Sequence, residues 1–145
     1  MILWRISNYA DMSGQGGLVA PGRWHEMGTL VVYCCDHPSA ALLEILVQVN
    51  LQQMPQNFQM LKIRCPPDIP LIDVDGDEID IQDLAQTRRK GTELLQNDDI
   101  CLIRVPSAIM PAAANIIINP QHARAGEIRI EEIKSYPFDS RLLHP

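Results

Sequence analysis

The 145 residues contain no C-x-x-C pair, no apolar run approaching the length of a membrane span and no basic cluster longer than three residues. Each absence excludes a class of protein. The four cysteines, Cys34, Cys35, Cys65 and Cys101, lack the paired spacing of a zinc site, and three sit in apolar strand-like runs. Reduced, buried thiols are the simplest expectation. The adjacent pair Cys34 and Cys35 would point to opposite faces of a strand, which weakens a redox reading. The formal net charge is −6 and the twelve basic residues are scattered, so direct binding of nucleic acid through a basic face is not expected. The one basic run, Arg88 to Lys90, reads as solvated surface. "MILWRIS" meets a charge after four residues and opens no long apolar region, unlike a secretory signal. With no membrane-spanning run either, a cytoplasmic protein without membrane attachment is expected.

Several motifs are also missing. Gly14, Gly16 and Gly17 form no G-x-G-x-x-G and precede no apolar helix, so dinucleotide-binding and phosphate-loop readings fail. "DVDGD" from Asp73 has alternating carboxylates like a calcium loop, but Glu78 and Leu84 occupy the sixth and twelfth positions, where glycine and glutamate are required. A solvated acidic turn is the better reading, and no metal site is expected. Nothing like a G-x-S-x-G elbow surrounds Ser107, whose bare-sequence reading is a turn or helix N-cap ahead of "AIMP".

What is present is enough for one domain, residues 1–145, since 46% hydrophobic residues can fill a sizeable core. Residues 1–6 read as a short strand, followed by a glycine-rich loop over 13–17. "TLVVYCC" from Thr29 reads as a buried strand, broken by Asp36, His37 and Pro38, with Pro38 suited to the first turn of the helix that follows. "FQMLKIRC" alternates as a half-buried strand, and Pro66, Pro67 and Pro70 make a rigid connection. Residues 83–97 suggest one or two short helices around Gly91. "DICLIRVPS", "NIIIN" and "GEIRIEEIKSY" are three further strands. Helices in the first two thirds and strands at both ends predict an α+β fold with a mixed sheet and packed helices.

Two stretches raise functional questions. In "SAALLEILVQVN", residues 39–50, Glu44 is a lone carboxylate with no basic residue within a turn. Such a group lies at a boundary to water, is held by a partner from elsewhere, or is used for its charge; helix position alone favours the boundary. In "PGRWHEMGTLVVY", Gly22 and Gly28 bracket an Arg23–Trp24 pair in a loop entering a strand, with Tyr33 near that strand's far end. An arginine at a strand end can grip a phosphate or carboxylate with two parallel hydrogen bonds, and Trp24 or Tyr33 offers a stacking face. The alternative is a surface arginine beside a core tryptophan.

Taken together, "LWRIS", "GRWHEMGTLVVY", "SAALLE", Gly91, "VPSAIMPAAANIIINPQH" and "FDSRL" resemble, nearly end to end, the RES-domain toxins of bacterial Xre–RES toxin–antitoxin pairs. One departure is His25, where the family more often has asparagine. The resemblance implies a fold similar to ADP-ribosyltransferases and a pocket that binds and destroys NAD, which is substrate here and not cofactor. On matching positions it implies Glu44, Arg23 and Tyr33 as catalytic residues, and Arg5, Arg23, Tyr33 and Ser107 as NAD-binding residues. Glu44 would stabilise charge on the ribose or hydrogen-bond its hydroxyls. Arg23 and Arg5 would hold the pyrophosphate or balance Glu44. Tyr33 would stack on a ring of NAD, and Ser107 would hydrogen-bond the ribose or orient Glu44. The acceptor of ADP-ribose is water or inorganic phosphate, with transfer to a protein side chain as the alternative; a non-catalytic interaction module is the third reading, against which the retained site residues count. The implied partner is an antitoxin with an Xre-type helix-turn-helix that blocks the pocket and carries the DNA binding. Whether the chain forms a homo-oligomer stays open.

Overall fold

A computed structural model describes residues 1–50, 52 and 55–143. Among these residues seven strands form one sheet: β1 (Ile2–Ile6), β2 (Val32–Cys35), β3 (Asn57–Arg64), β4 (Leu71–Asp73), β5 (Leu102–Pro106), β6 (Ala114–Ile118) and β7 (Arg129–Pro137). Their order is β4-β5-β6-β2-β1-β3-β7. All neighbours are antiparallel except β4 and β5, so the sheet is mixed, as expected. Among the described residues three α-helices accompany it: α1 (Gly16–Val19), α2 (Pro38–Gln48) and α3 (Leu84–Leu95).

Strand alternation divides the core between two faces. Val32, Cys34, Ile116, Ile118, Leu102, Leu3, Leu61 and Ile63 form one apolar cluster, closed by Ile69, Cys101 and Ile128 from the connections. On the opposite face Ile103, Val105 and Ile117 pack with Trp24 and with Leu95 of α3. Cys35, Met60 and Ala41 of α2 continue that face. Cys34 and Cys35 thus lie on opposite sides, and all four cysteines are free and buried.

The helix ends follow local chemistry. Pro38 opens α2, and His37 caps it by accepting a hydrogen bond at Nδ1 from the Ser39 N–H at 3.1 Å. Asp83 caps α3 by accepting from the Gln86 N–H at 3.2 Å.

Several expected boundaries move. β2 begins at Val32, not Thr29, because the backbone of Val31 bonds to Gly14 instead of a strand neighbour. The single turn α1 begins inside the glycine-rich loop, at Gly16, and runs past it to Val19. Residues 84–95 form one helix running through Gly91. β4 follows the proline-rich connection and is paired parallel to β5, a pairing with no local sequence signal.

The consequential irregularity lies at the centre of the sheet. β1 pairs with β3 over five residues and β2 with β6 over four, yet β1 and β2 pair only at Trp4 and Cys35. Past that point Arg5 takes over: its Nη1 donates to the Tyr33 carbonyl at 3.0 Å. A guanidinium satisfies a backbone oxygen that a ladder bond would otherwise serve. The sheet parts there, and a cleft opens.

Candidate active site

The cleft has a volume of about 910 Å³ and is lined by Arg5, Arg23, Tyr33, Glu44, Arg88 and Asn115, among others. That volume lies within the range of small-molecule and cofactor sites, about 300–1,000 Å³. Three of the twelve basic residues of an acidic chain turn toward it, which favours an anionic ligand.

Arg23 is fixed by α3. The loop over residues 22–26 lies on one face of that helix, hydrogen-bonded at three of its positions. Thr87 Oγ1 donates to the Arg23 carbonyl at 2.5 Å, Arg88 Nε donates to the Gly22 carbonyl at 2.8 Å, and the Glu26 N–H donates to Thr92 Oγ1 at 2.9 Å. Gly91 completes the face, because a Cβ there would stand 1.8 Å from the Trp24 carbonyl oxygen. The Arg23 guanidinium itself gives one N–H, from Nη1, to the Ile81 carbonyl at 2.5 Å. It makes no ion pair with Glu44. Arg88, read from sequence as solvated, is half-buried and belongs to the cleft.

Tyr33 lies second in β2, near its start and not its far end. Its hydroxyl accepts from the Trp24 N–H at 3.1 Å and meets His25 Nδ1 at 2.6 Å, while His25 Nε2 meets the Ala20 carbonyl at 2.8 Å. Since a carbonyl only accepts, Nε2 carries the proton, and Nδ1 accepts from the tyrosine. One tautomer satisfies every group in the chain. Burial holds the His25 pKa below its ordinary value, opposed by the Ala20 hydrogen bond and reinforced by Arg88. Burial likewise raises that of the Tyr33 phenol. Both rings are therefore neutral near pH 7, and His25 acquires a structural role: it fixes the tyrosine that lines the cleft. Gly22 makes room for the pair, since a Cβ there would lie 2.7 Å from the Tyr33 oxygen.

Glu44 is half-buried on α2 and faces the cleft. Of the three readings open from sequence, a partner from elsewhere is present: Asn115 Nδ2 on β6 donates to Glu44 Oε1 at 2.9 Å. Sequence reasoning missed Asn115. Its only signal was a polar side chain opening the apolar run "NIIIN". Ser107 does not orient Glu44. Its buried hydroxyl accepts from the N–H groups of Ile109 at 3.2 Å and Met110 at 3.1 Å. It holds a turn, as its bare-sequence reading had it, and Ala108 and Ile109 of that turn line the cleft in its place. Among the described residues, no group of three His, Cys, Asp or Glu side chains is placed to hold a metal. No described helix is long and apolar enough to cross a membrane.

Comparison with known proteins agrees with this architecture. The RES domain family model matches residues 2–139. The chain is 38% identical over 145 residues to "Toxin Res" of Pseudomonas putida, covering 98% of this chain and 99% of that protein. It is 29% identical over 153 residues to the "Prs ADP-ribosylating toxin" of Sphingobium sp., covering 97% and 95%. Its fold matches a chain in the crystal structure of the M. tuberculosis MbcT–MbcA toxin–antitoxin complex, with a TM-score of 0.73 at 16% identity over 98% of this chain and 86% of that one. The fold is the α+β arrangement with a mixed sheet and packed helices that was expected, and it is shared with that chain of the toxin–antitoxin complex.

Proposed function

The chain belongs to the RES-domain family, and from that premise we propose that it is the toxin of a toxin–antitoxin pair, acting by cleaving the nicotinamide–ribose bond of NAD. The observation that carries this reading is a carboxylate without a cationic partner facing an arginine-lined cleft in a split sheet. Such a site suits a substrate that is anionic at one end and becomes cationic at its reacting carbon.

The chemistry follows from that asymmetry. When the bond between the ribose carbon and the nicotinamide nitrogen breaks, its electron pair neutralises the pyridinium and positive charge develops on the sugar. Glu44 stabilises that charge electrostatically. Arg23, Arg5 and Arg88 hold the pyrophosphate; Arg5 Nε is buried with no protein partner and can serve a ligand oxygen. Tyr33 presents its ring to nicotinamide or adenine, its hydroxyl being already engaged. Ser107 contributes by shaping the Ala108–Ile109 wall. Water or inorganic phosphate then forms the new C–O bond and gives up a proton, releasing ADP-ribose or its phosphorylated form. No metal and no further cofactor enters the scheme.

Transfer of ADP-ribose to a protein is the second reading, favoured by the name of the Sphingobium relative. Both share every step up to the cation. Incubating the protein with NAD, with and without phosphate, and weighing the products separates them: free or phosphorylated ADP-ribose supports the first, and a mass increment on protein alone supports the second.

The mouth of the cleft also suits a protein partner. Tyr9 and Val47 line it while 76% and 62% exposed, and Leu84 is exposed beside them. An apolar rim around a polar site is a surface that another chain covers. An antitoxin with an Xre-type helix-turn-helix fits that role and would supply the DNA contacts that this acidic chain is unsuited to make. The site of action is the cytoplasm, where NAD is at hand.

A further inference from the structure

Glu44 is the group on which the proposed reaction turns, yet among the described residues no salt bridge involves it. The hydrogen bond that its carboxylate accepts comes from a neutral amide, Asn115 Nδ2, 2.9 Å from Oε1. That amide is itself held. Cys35 Sγ donates to Asn115 Oδ1 at 3.5 Å, and Cys35 and Asn115 are directly opposed across β2 and β6. Burial pushes the Cys35 thiol up to about 12, with the charges of Glu44 and Asp36 adding to it. The sulfur therefore keeps its proton and can only donate. The carbonyl end of the amide must face the sulfur, and the NH2 end must face Glu44.

A lysine or arginine in that place would fix the carboxylate equally well but would cancel the charge that the developing sugar cation needs. A neutral donor fixes one oxygen, leaves the net charge whole and keeps Oε2 for the cleft. We propose that Asn115, clamped by Cys35, is a positioning residue for NAD cleavage: it aims the Glu44 carboxylate at the reacting sugar without neutralising it. This rests on the NAD reading above. The other charged groups facing the site are Arg5 from β1, Arg23 and Asp11 from the loop between β1 and β2, and Arg88 from α3, with Asp36 just before α2. None of them bonds the carboxylate, so the aim is set through the sheet.

Two variants test this in the full chain, with steady-state NAD cleavage followed across pH. Asn115→Asp keeps the shape but sets two carboxylates at hydrogen-bond distance, where they share a proton; the acid limb of kcat should move up by about one pH unit or more. Asn115→Leu removes the donor, and kcat should fall by about 10- to 100-fold with KM nearly unchanged, the signature of a misaimed group and not of lost binding. If melting shows that the Leu variant does not fold, the near-isosteric Asp variant decides alone. An Asp variant whose profile superimposes on that of the wild type, or a folded Leu variant with kcat within about twofold of it, overturns the role of Asn115 and leaves the NAD reading standing. No NAD cleavage by the wild type would instead overturn the NAD reading, and the role of Asn115 with it; cleavage by the wild type no faster than by Glu44→Gln would overturn the roles of Glu44 and Asn115 together.

Discussion

A carboxylate held by an amide and an arginine held by a helix are different kinds of fixed group, and their substitutions should fail differently. Arg23 spends one N–H on the Ile81 carbonyl and keeps the rest of its fork for the cleft. Arg23→Lys retains the charge but cannot make both sets of bonds. The loss of one charge-assisted hydrogen bond is worth about 1.5–3 kcal/mol, so kcat/KM should fall by about 10- to 100-fold. If kcat stays low at saturating NAD, the arginine also orients the transition state; wild-type kinetics in this variant would return Arg23 to the surface reading. His25 makes a prediction about pH. Its folded pKa is lowered by burial, so the unfolded chain binds the extra proton first as pH falls. The neutral ring's contribution to stability is complete above the ordinary histidine value of about 6.5 and declines as pH drops from there toward the folded value. His25→Asn removes that titration, and the fall in melting temperature between pH 7 and pH 5 should be smaller in the variant than in the wild type. Glu44 and Arg23 stand out in their local patterns, a charge in an apolar helix and a glycine-flanked cation before a strand, but those patterns alone favoured a boundary carboxylate and a surface arginine; the resemblance is what implied roles for them. Asn115 does not stand out, because an asparagine opening a strand is ordinary until the helix that packs over it is known.

At the scale of elements, the site is a loop laid on a helix, and the contact permits no gap. Alanine is the better helix former by about 0.8–1.0 kcal/mol, yet Gly91→Ala should destabilise, because its Cβ would meet the Trp24 carbonyl at 1.8 Å and the obstacle is backbone. A net loss of about 1–3 kcal/mol is expected from such overpacking, with a parallel loss of NAD cleavage as the loop bearing Arg23 is displaced. A variant as stable as the wild type would show that the loop and α3 are not locked together. Sequence patterning located α2, β3, β5, β6 and β7 well, since each carries its own apolar period or run. It failed where neighbours decide. Thr29 to Val31 are β-branched or apolar and still lie outside β2, because Val31 bonds to Gly14. Arg88 reads as part of a solvated run, and only its position on the face of α3 under Gly22 makes it a cleft residue.

For the whole molecule, the order β4-β5-β6-β2-β1-β3-β7 places two well-paired groups of strands side by side and joins them at one residue pair, Trp4 and Cys35. The cleft is a consequence of that incomplete seam. It brings Arg5 from one group and Tyr33 and Asn115 from the other to the same space. No local signal announces such a seam, since it depends on which strands become neighbours; the family resemblance implied a pocket, but not how the strands part to form it. The account predicts that expression of the chain in bacteria without an antitoxin lowers the cellular NAD pool before growth stops. Growth arrest at constant NAD would favour protein ADP-ribosylation. The most direct measurement is the release of free nicotinamide from NAD by the purified wild type and by Glu44→Gln, each shown to be folded. We expect steady release by the wild type and a rate lower by about 10²–10³-fold in the variant, the usual effect of removing one preorganised electrostatic group. Equal release by both, or none by the wild type, would contradict the account.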